Sequence, residues 1–290
     1  MNEMKGNSMA VFNSNDIYPV SADSELPFEQ HRDIFHLTGI DQEETILLLY
    51  PPSKDDKTRE ILFIRKSDNH TKVWEGEKLS KKQANELSGI DSIYFIDDFK
   101  DILSSIATKV DTFYINKNEH YRANSPVETR EDRFISWLLK NYPAHNVAKS
   151  NPILQRQRSI KHPDEIDQIK KACDITRKGF NRVLKFIKPD VWEYEIEAEF
   201  IHEFINSSSK GFAYSPIIAS GDDNNVLHYI KNNKQCKSGE LILMDVGAEY
   251  GNYSSDMTRT VPVSGKFTKR QKEIYNAVLR VKNEATKLLT

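Results

Sequence analysis

The chain has 290 residues with 41 basic and 43 acidic side chains, a formal net charge of −2, and this balance excludes a broad electrostatic drive toward nucleic acid or a membrane surface. Two cysteines, Cys173 and Cys236, lie too far apart for a C-x-x-C pair and exclude a disulfide framework or a thiolate zinc site. The start lacks the apolar core of a signal peptide and no apolar run reaches membrane-spanning length, so a soluble cytoplasmic protein of about two domains is expected.

Taken in order, residues 9–12, 33–37, 45–50 and 60–64 read as strands, with Pro51-Pro52 and Asp55-Asp56 marking a turn. Helices are expected over 81–87, 99–107 and 126–139, with strands at 92–96 and 112–115 between them. Strands interleaved with helices imply an α/β domain. The stretch 143–159 reads as a connector, and the domain boundary is placed inside it, giving domains 1–155 and 156–290. Pro163, with Asp164 and Glu165 in the first turn, opens a helix that Pro189 stops. Its stripe of Ile166, Ile169, Cys173, Thr176, Phe180, Val183 and Ile187 makes Cys173 a core residue in expectation. A second helix, 192–206, carries Ile196, Phe200 and Phe204 on one face, and His202 and Glu203 are read as surface residues. Strands 214–219 and 226–230 follow, and the second puts His228 on a face with Val226 and Ile230.

The stretch from Leu241 to Val261 carries the most information. Two strand-like runs flank Tyr250-Gly251, and Asp245 and Asp256 lie equally far from the point between those residues. A tight turn there would set the two aspartates directly opposite each other, with Cβ atoms roughly 4.5–5.5 Å apart. Apolar residues on both faces of 241–246 suggest a strand covered on both sides, where an uncompensated carboxylate is costly. A shared proton or a divalent cation between the carboxylates would compensate. The alternative is that backbone donors satisfy Asp245 while Asp256 is solvated. After Pro262, Thr268 and Gln271 have capping-box spacing, and Ile274, Val278, Val281 and Ala285 continue an apolar face toward Leu288-Leu289. With that pattern still running at Thr290, the end reads as a cut.

The runs Ile218-Ala-Ser-Gly221, Val226-Leu-His228-Tyr229, Gly239-Glu-Leu-Ile-Leu-Met-Asp245-Val-Gly247, Tyr253-Ser-Ser-Asp256-Met-Thr-Arg-Thr260 and Gly265-Lys-Phe-Thr268 resemble the aminopeptidase P (Xaa-Pro aminopeptidase) branch of the creatinase/prolidase family. The likeness is ordered from about Lys161 onward. A weaker one covers the front through Phe35-His-Leu-Thr-Gly39 and Val73-Trp-Glu-Gly76. The resemblance implies a creatinase-like N-terminal α/β domain followed by the first half of a pita-bread metallopeptidase domain. It implies two divalent ions, manganese in expectation, with Asp245 a bidentate and Asp256 a bridging ligand. It implies a peptide substrate with proline at the second position, whose preceding carbonyl is attacked by water activated between the ions. His228 falls on a histidine that binds substrate and stabilises the transition state. Tyr214 and Tyr229 are candidate pocket residues, and Trp74 matches a tryptophan that reaches a neighbouring subunit's site in a homo-oligomer, a dimer or tetramer.

In that family one histidine and two glutamates complete the metal site from the second half of the domain. The 290-residue chain is therefore expected to be nearly inactive until that half is supplied in cis or in trans. Prolidase-type dipeptide cleavage and a non-catalytic binding or assembly role on the same scaffold are the competing readings. A glycosidase carboxylate pair is disfavoured by the expected closeness of the two aspartates.

Overall fold

A computed structural model gives the fold and describes residues 1–117 and 126–289. Internal contacts divide the chain into two compact units, Met1–Lys161 and His162–Thr290. Thr290 itself, where the chain was expected to be cut, lies outside the described residues.

The first unit runs β1 (Ser8–Asn13), β2 (Pro19–Ser21), β3 (Ser24–Glu25), α1 (Arg32–Thr38), β4 (Ile46–Leu49), β5 (Glu60–Ile64), α2 (Asn69–Trp74), α3 (Lys81–Ser88), β6 (Ser92–Phe95), α4 (Phe99–Ala107), β7 (Thr112–Ile115), α5 (Arg130–Asn141), β8 (Asn146–Lys149) and α6 (Asn151–Ser159). Six strands form one sheet in the order β6-β5-β4-β1-β7-β8. The pairs β1–β4 and β4–β5 are antiparallel, and the other three are parallel. Because successive side chains alternate across a strand, the central strands feed two cores. Met9, Val11, Leu48, Phe63 and Phe113 pack with Leu103, Ile106 and Leu138 on one face. Ala10, Phe12, Leu47, Leu62 and Ile64 pack with Ile34, Ala84 and Leu154 on the other. A sheet covered on both faces explains the near-continuous apolar runs of β1, β4 and β5.

Two expectations fail in this unit. Residues 33–37 are not a strand but the body of α1, which His31 caps by accepting from Asp33 N–H at 3.2 Å and which Gly39 ends in the left-handed region, φ 69°. The stretch 143–159 is not an open connector. It supplies the edge strand β8, parallel to β7, and the helix α6, which buries Leu154.

The second unit runs α7 (Pro163–Phe186), α8 (Glu193–Asn206), β9 (Gly211–Phe212), β10 (Ile217–Ser220), β11 (Leu241–Val246), β12 (Ala248–Tyr250), β13 (Tyr253–Ser254), β14 (Met257–Pro262) and α9 (Lys269–Thr286). Two small sheets, β10-β11-β14 and β13-β12-β9, share one core with α7 and α8. Phe200, Phe204 and Ile196 are fully buried, as the spacing on α8 predicts. On α7 the buried arc is Ala172, Ile175, Thr176, Gly179, Phe180 and Val183, and Cys173 is exposed, against expectation. The reason is close helix packing: a Cβ at Gly179 would stand 2.8 Å from the Phe204 ring and 2.9 Å from the Phe200 ring. Small residues therefore mark the buried face of α7 as much as large ones do. Among the described residues, no helix is long and apolar enough to cross a membrane.

Candidate metal centre

The strand pair carrying both aspartates folds over a turn one residue later than expected. Tyr250 pairs with Tyr253, and the turn residues Gly251 and Asn252 have φ of 57° and 66°. Two positive φ values in succession define the hairpin turn whose twist matches that of the flanking strands. Moving the turn centre by one residue moves the pairing by two. Asp245 consequently stands opposite Thr258, and Val246 opposite Met257. Asp256 lies diagonally from Asp245 rather than across from it, yet an offset of two keeps both on the same face.

The strand bearing Asp245 is covered on one face only. Ile242, Met244 and Val246 are fully buried, whereas Leu241, Leu243 and Asp245 are half-buried and Asp256 is exposed. The expectation of cover on both faces is corrected accordingly.

Tyr214 joins the two carboxylates. Its hydroxyl donates to Asp245 Oδ1 at 2.6 Å and lies 3.1 Å from Asp256 Oδ1. Pairing of β9 with β12 and a 2.8 Å bond from Ala213 N–H to the Gly247 carbonyl deliver the ring to this point. Burial pushes the Tyr214 phenol well above its ordinary pKa, and the hydrogen bond and charge of Asp245, then Asp256, push the same way. The phenol therefore stays a donor, with a single proton shared between two acceptors.

His228 is not on a strand. Residues 226–230 form a turn segment, exposed except at Tyr229, after a short 3-10 turn, Gly221–Asn225, and among the described residues His228 makes no hydrogen bond to either aspartate. Its neighbour Tyr229 is buried, and its hydroxyl donates to Glu193 Oε2 at 2.8 Å. Glu193, at the start of α8 and fully buried, also accepts from Lys234 N–H at 3.0 Å and from the Ser220 N–H and hydroxyl, both at 2.8 Å. This carboxylate fastens β10 and the His228 segment to α8. Sequence reasoning missed it, because nothing in a lone Glu of a helix's first turn announces distant partners. Trp74 closes α2 in the first unit at 75% exposure, its ring tilted against His70.

Two carboxylates and a phenol on one face are hard oxygen donors of the type that suits magnesium, manganese or calcium. The residues fit such an ion in kind. They do not enclose it: among the described residues, no group of three or more His, Cys, Asp or Glu side chains could hold a metal.

Known proteins extend this picture. Residues 1–114 match the pattern of the aminopeptidase P N-terminal domain and residues 167–290 that of metallopeptidase family M24. The chain is 32% identical to the Xaa-Pro aminopeptidase of Escherichia coli strain K12 over 260 residues, 89% of this chain and 59% of that one. It is 30% identical to human Xaa-Pro aminopeptidase 3 over 278 residues, 95% of this chain and 54% of that one. Zinc-substituted E. coli aminopeptidase P in complex with product superimposes with a TM-score of 0.85 at 30% identity, covering 96% of this chain and 63% of that one. Proline aminopeptidase P II from Yersinia pestis gives 0.85 at 28%, covering 98% and 65%. The chain thus spans a little over half the length of the curated relatives it matches.

Proposed function

We propose, from the match of residues 167–290 to metallopeptidase family M24 and the likeness to Xaa-Pro aminopeptidases, that the chain is a member of that family and releases the N-terminal residue from peptides with proline second, acting together with the further catalytic-domain sequence its longer relatives carry. The observation that carries this reading is the convergence of Asp245 and Asp256 on one hydroxyl. Acidic oxygens that share a proton donor at one point are placed to share a cation there.

In this proposal Asp245 and Asp256 would hold the divalent ions, two in number and manganese by preference. When bound, such ions would supply Lewis-acid chemistry toward the scissile carbonyl and the attacking water. Tyr214 steadies both carboxylates. His228, on its exposed turn, donates to the charge that develops on the carbonyl oxygen, and the Glu193–Tyr229 bond holds the segment that carries it. Trp74 serves the peptide site of a neighbouring subunit in a homo-oligomer.

The test is a hydrolysis assay on Xaa-Pro-containing peptides with manganese, run on this chain and on a form extended to the relatives' length. Chelator-sensitive release of the first residue by the extended form is expected, with little release by the chain alone. No release by the extended form, or cleavage confined to dipeptides, would overturn the aminopeptidase reading.

A further inference from the structure

Between the two small sheets of the second unit, one rung of the strand ladder is diverted. The register places Ala248 opposite Ser255, and Ser255 N–H donates to the Ala248 carbonyl at 3.0 Å as a regular rung requires. The return bond goes elsewhere. Ala248 N–H points to two hydroxyls, Ser255 Oγ and Thr176 Oγ1, both at 2.9 Å. Those hydroxyls are 2.6 Å apart, and Ser255 Oγ reaches the Ala248 carbonyl at 3.0 Å. Thr176 is fully buried in α7 and Ser255 nearly so.

The freed Ser255 carbonyl swings over Gly247, so closely that a Cβ there would stand 1.9 Å from the oxygen and 3.1 Å from the Tyr214 ring. The diverted rung thus sits one residue before Asp256 and three after Asp245. It also lies beside the residue whose carbonyl holds Ala213, and with it Tyr214. Regular pairing through this point would return the Ser255 carbonyl to Ala248 N–H and rotate the backbone that aims Asp256.

We propose that Thr176 and Ser255 are positioning residues that aim Asp256 toward Asp245 by taking this rung out of the ladder. The hydroxyl pair acts on the cation gap through the backbone and touches no substrate. The proposal rests on the metal reading above for its consequence, but its geometry is testable without metal.

The experiment uses the 290-residue chain with 13C-labelled tyrosine rings, the Tyr214 Cζ resonance being assigned by its loss in Tyr214→Phe. Thr176→Val keeps the shape of the side chain and removes its hydroxyl; Thr176→Ser keeps the hydroxyl. The Tyr214 resonance of the metal-free chain is expected to move in Thr176→Val and to stay at its wild-type position in Thr176→Ser. Zinc, titrated into each, is expected to bind about tenfold more weakly to the valine variant alone. An unmoved resonance in Thr176→Val, or the same movement in both variants, overturns the proposal. If Thr176→Val does not fold, Ser255→Ala takes its place: a moved Tyr214 resonance supports the positioning role and an unmoved one overturns it. A form extended to the relatives' length that binds no zinc would sink the two-aspartate metal reading, while the resonance still decides the positioning role.

Discussion

Thr258, not Asp256, stands directly across the strand ladder from Asp245. Asp256 reaches the same tyrosine hydroxyl as Asp245 from two residues before Thr258, and it does so beside a diverted rung rather than by regular pairing. The residue opposite and the residue that matters are therefore different, which separates them experimentally.

In a form of the chain extended to the relatives' length, the proposed Xaa-Pro hydrolysis is expected to fall by at least about 100-fold in Asp256→Asn, roughly 3 kcal/mol of transition-state stabilisation. Thr258→Ala is expected to change it by no more than about threefold, a fraction of a kcal/mol. Initial rates at saturating manganese check both. Equal effects would mean that the direct partner shapes the site as much as the diagonal one and would overturn the special role of Asp256.

The pairing of the aspartates was legible in kind and wrong in detail. The alternation of 241–246 and 257–262 tells which side chains share a face, and an error of two residues leaves that unchanged. What escaped was the turn. Gly251-Asn252, two residues tolerant of positive φ, was the better centre than Tyr250-Gly251, and reading it would have placed Thr258 opposite Asp245. His228 escaped for another reason: the run 226–230 is apolar like a strand but pairs with no strand among the described residues. On α7 the stripe of large residues passes beside Ala172 and Gly179, the two smallest members of the buried arc. On α9 the apolar pattern is real, yet among its described residues none is buried, so Ile274, Val278 and Val281 stay exposed. Periodicity reports which face is apolar and is silent about whether anything covers it.

The orientation of α7 has a direct check. Cys173 is exposed, while Cys236 is fully buried and its thiol is pushed up to about 11, chiefly by burial. A thiol reagent at pH 8 is expected to modify one cysteine per folded chain quickly and the second only on unfolding. Cys173→Ser should remove the fast phase and change stability by less than about 0.5 kcal/mol, as an exposed substitution does.

Glu193 offers a test of the scaffold under His228. Replacing it with alanine strands the Ser220 and Lys234 amide donors and the Tyr229 hydroxyl in a buried site. Unpaired buried donors cost about 1–3 kcal/mol each, so Glu193→Ala is expected to destabilise the second unit by about 3 kcal/mol or more. Denaturant unfolding followed by Trp192 fluorescence measures it. A loss below about 1 kcal/mol would show that water or rearrangement satisfies the site, and that the carboxylate is not what fastens the segment.

The Tyr229 end of that bond carries a pH signature. Burial, then the hydrogen bond and charge of Glu193, raise its phenol to about 12, above the ordinary value of about 10. A raised folded-state pKa means the folded chain holds its proton where the unfolded chain has released it. The resulting stabilisation is complete below about pH 10 and fades as pH climbs through about 12. Wild type is therefore expected to exceed Tyr229→Phe in stability by about 1.5–3 kcal/mol at pH 8, the worth of a hydrogen bond to a charged acceptor. That advantage should shrink progressively above pH 10, because the phenylalanine has no proton to lose. A difference that stays constant from pH 8 to pH 12 would show that the two residues contribute through packing alone.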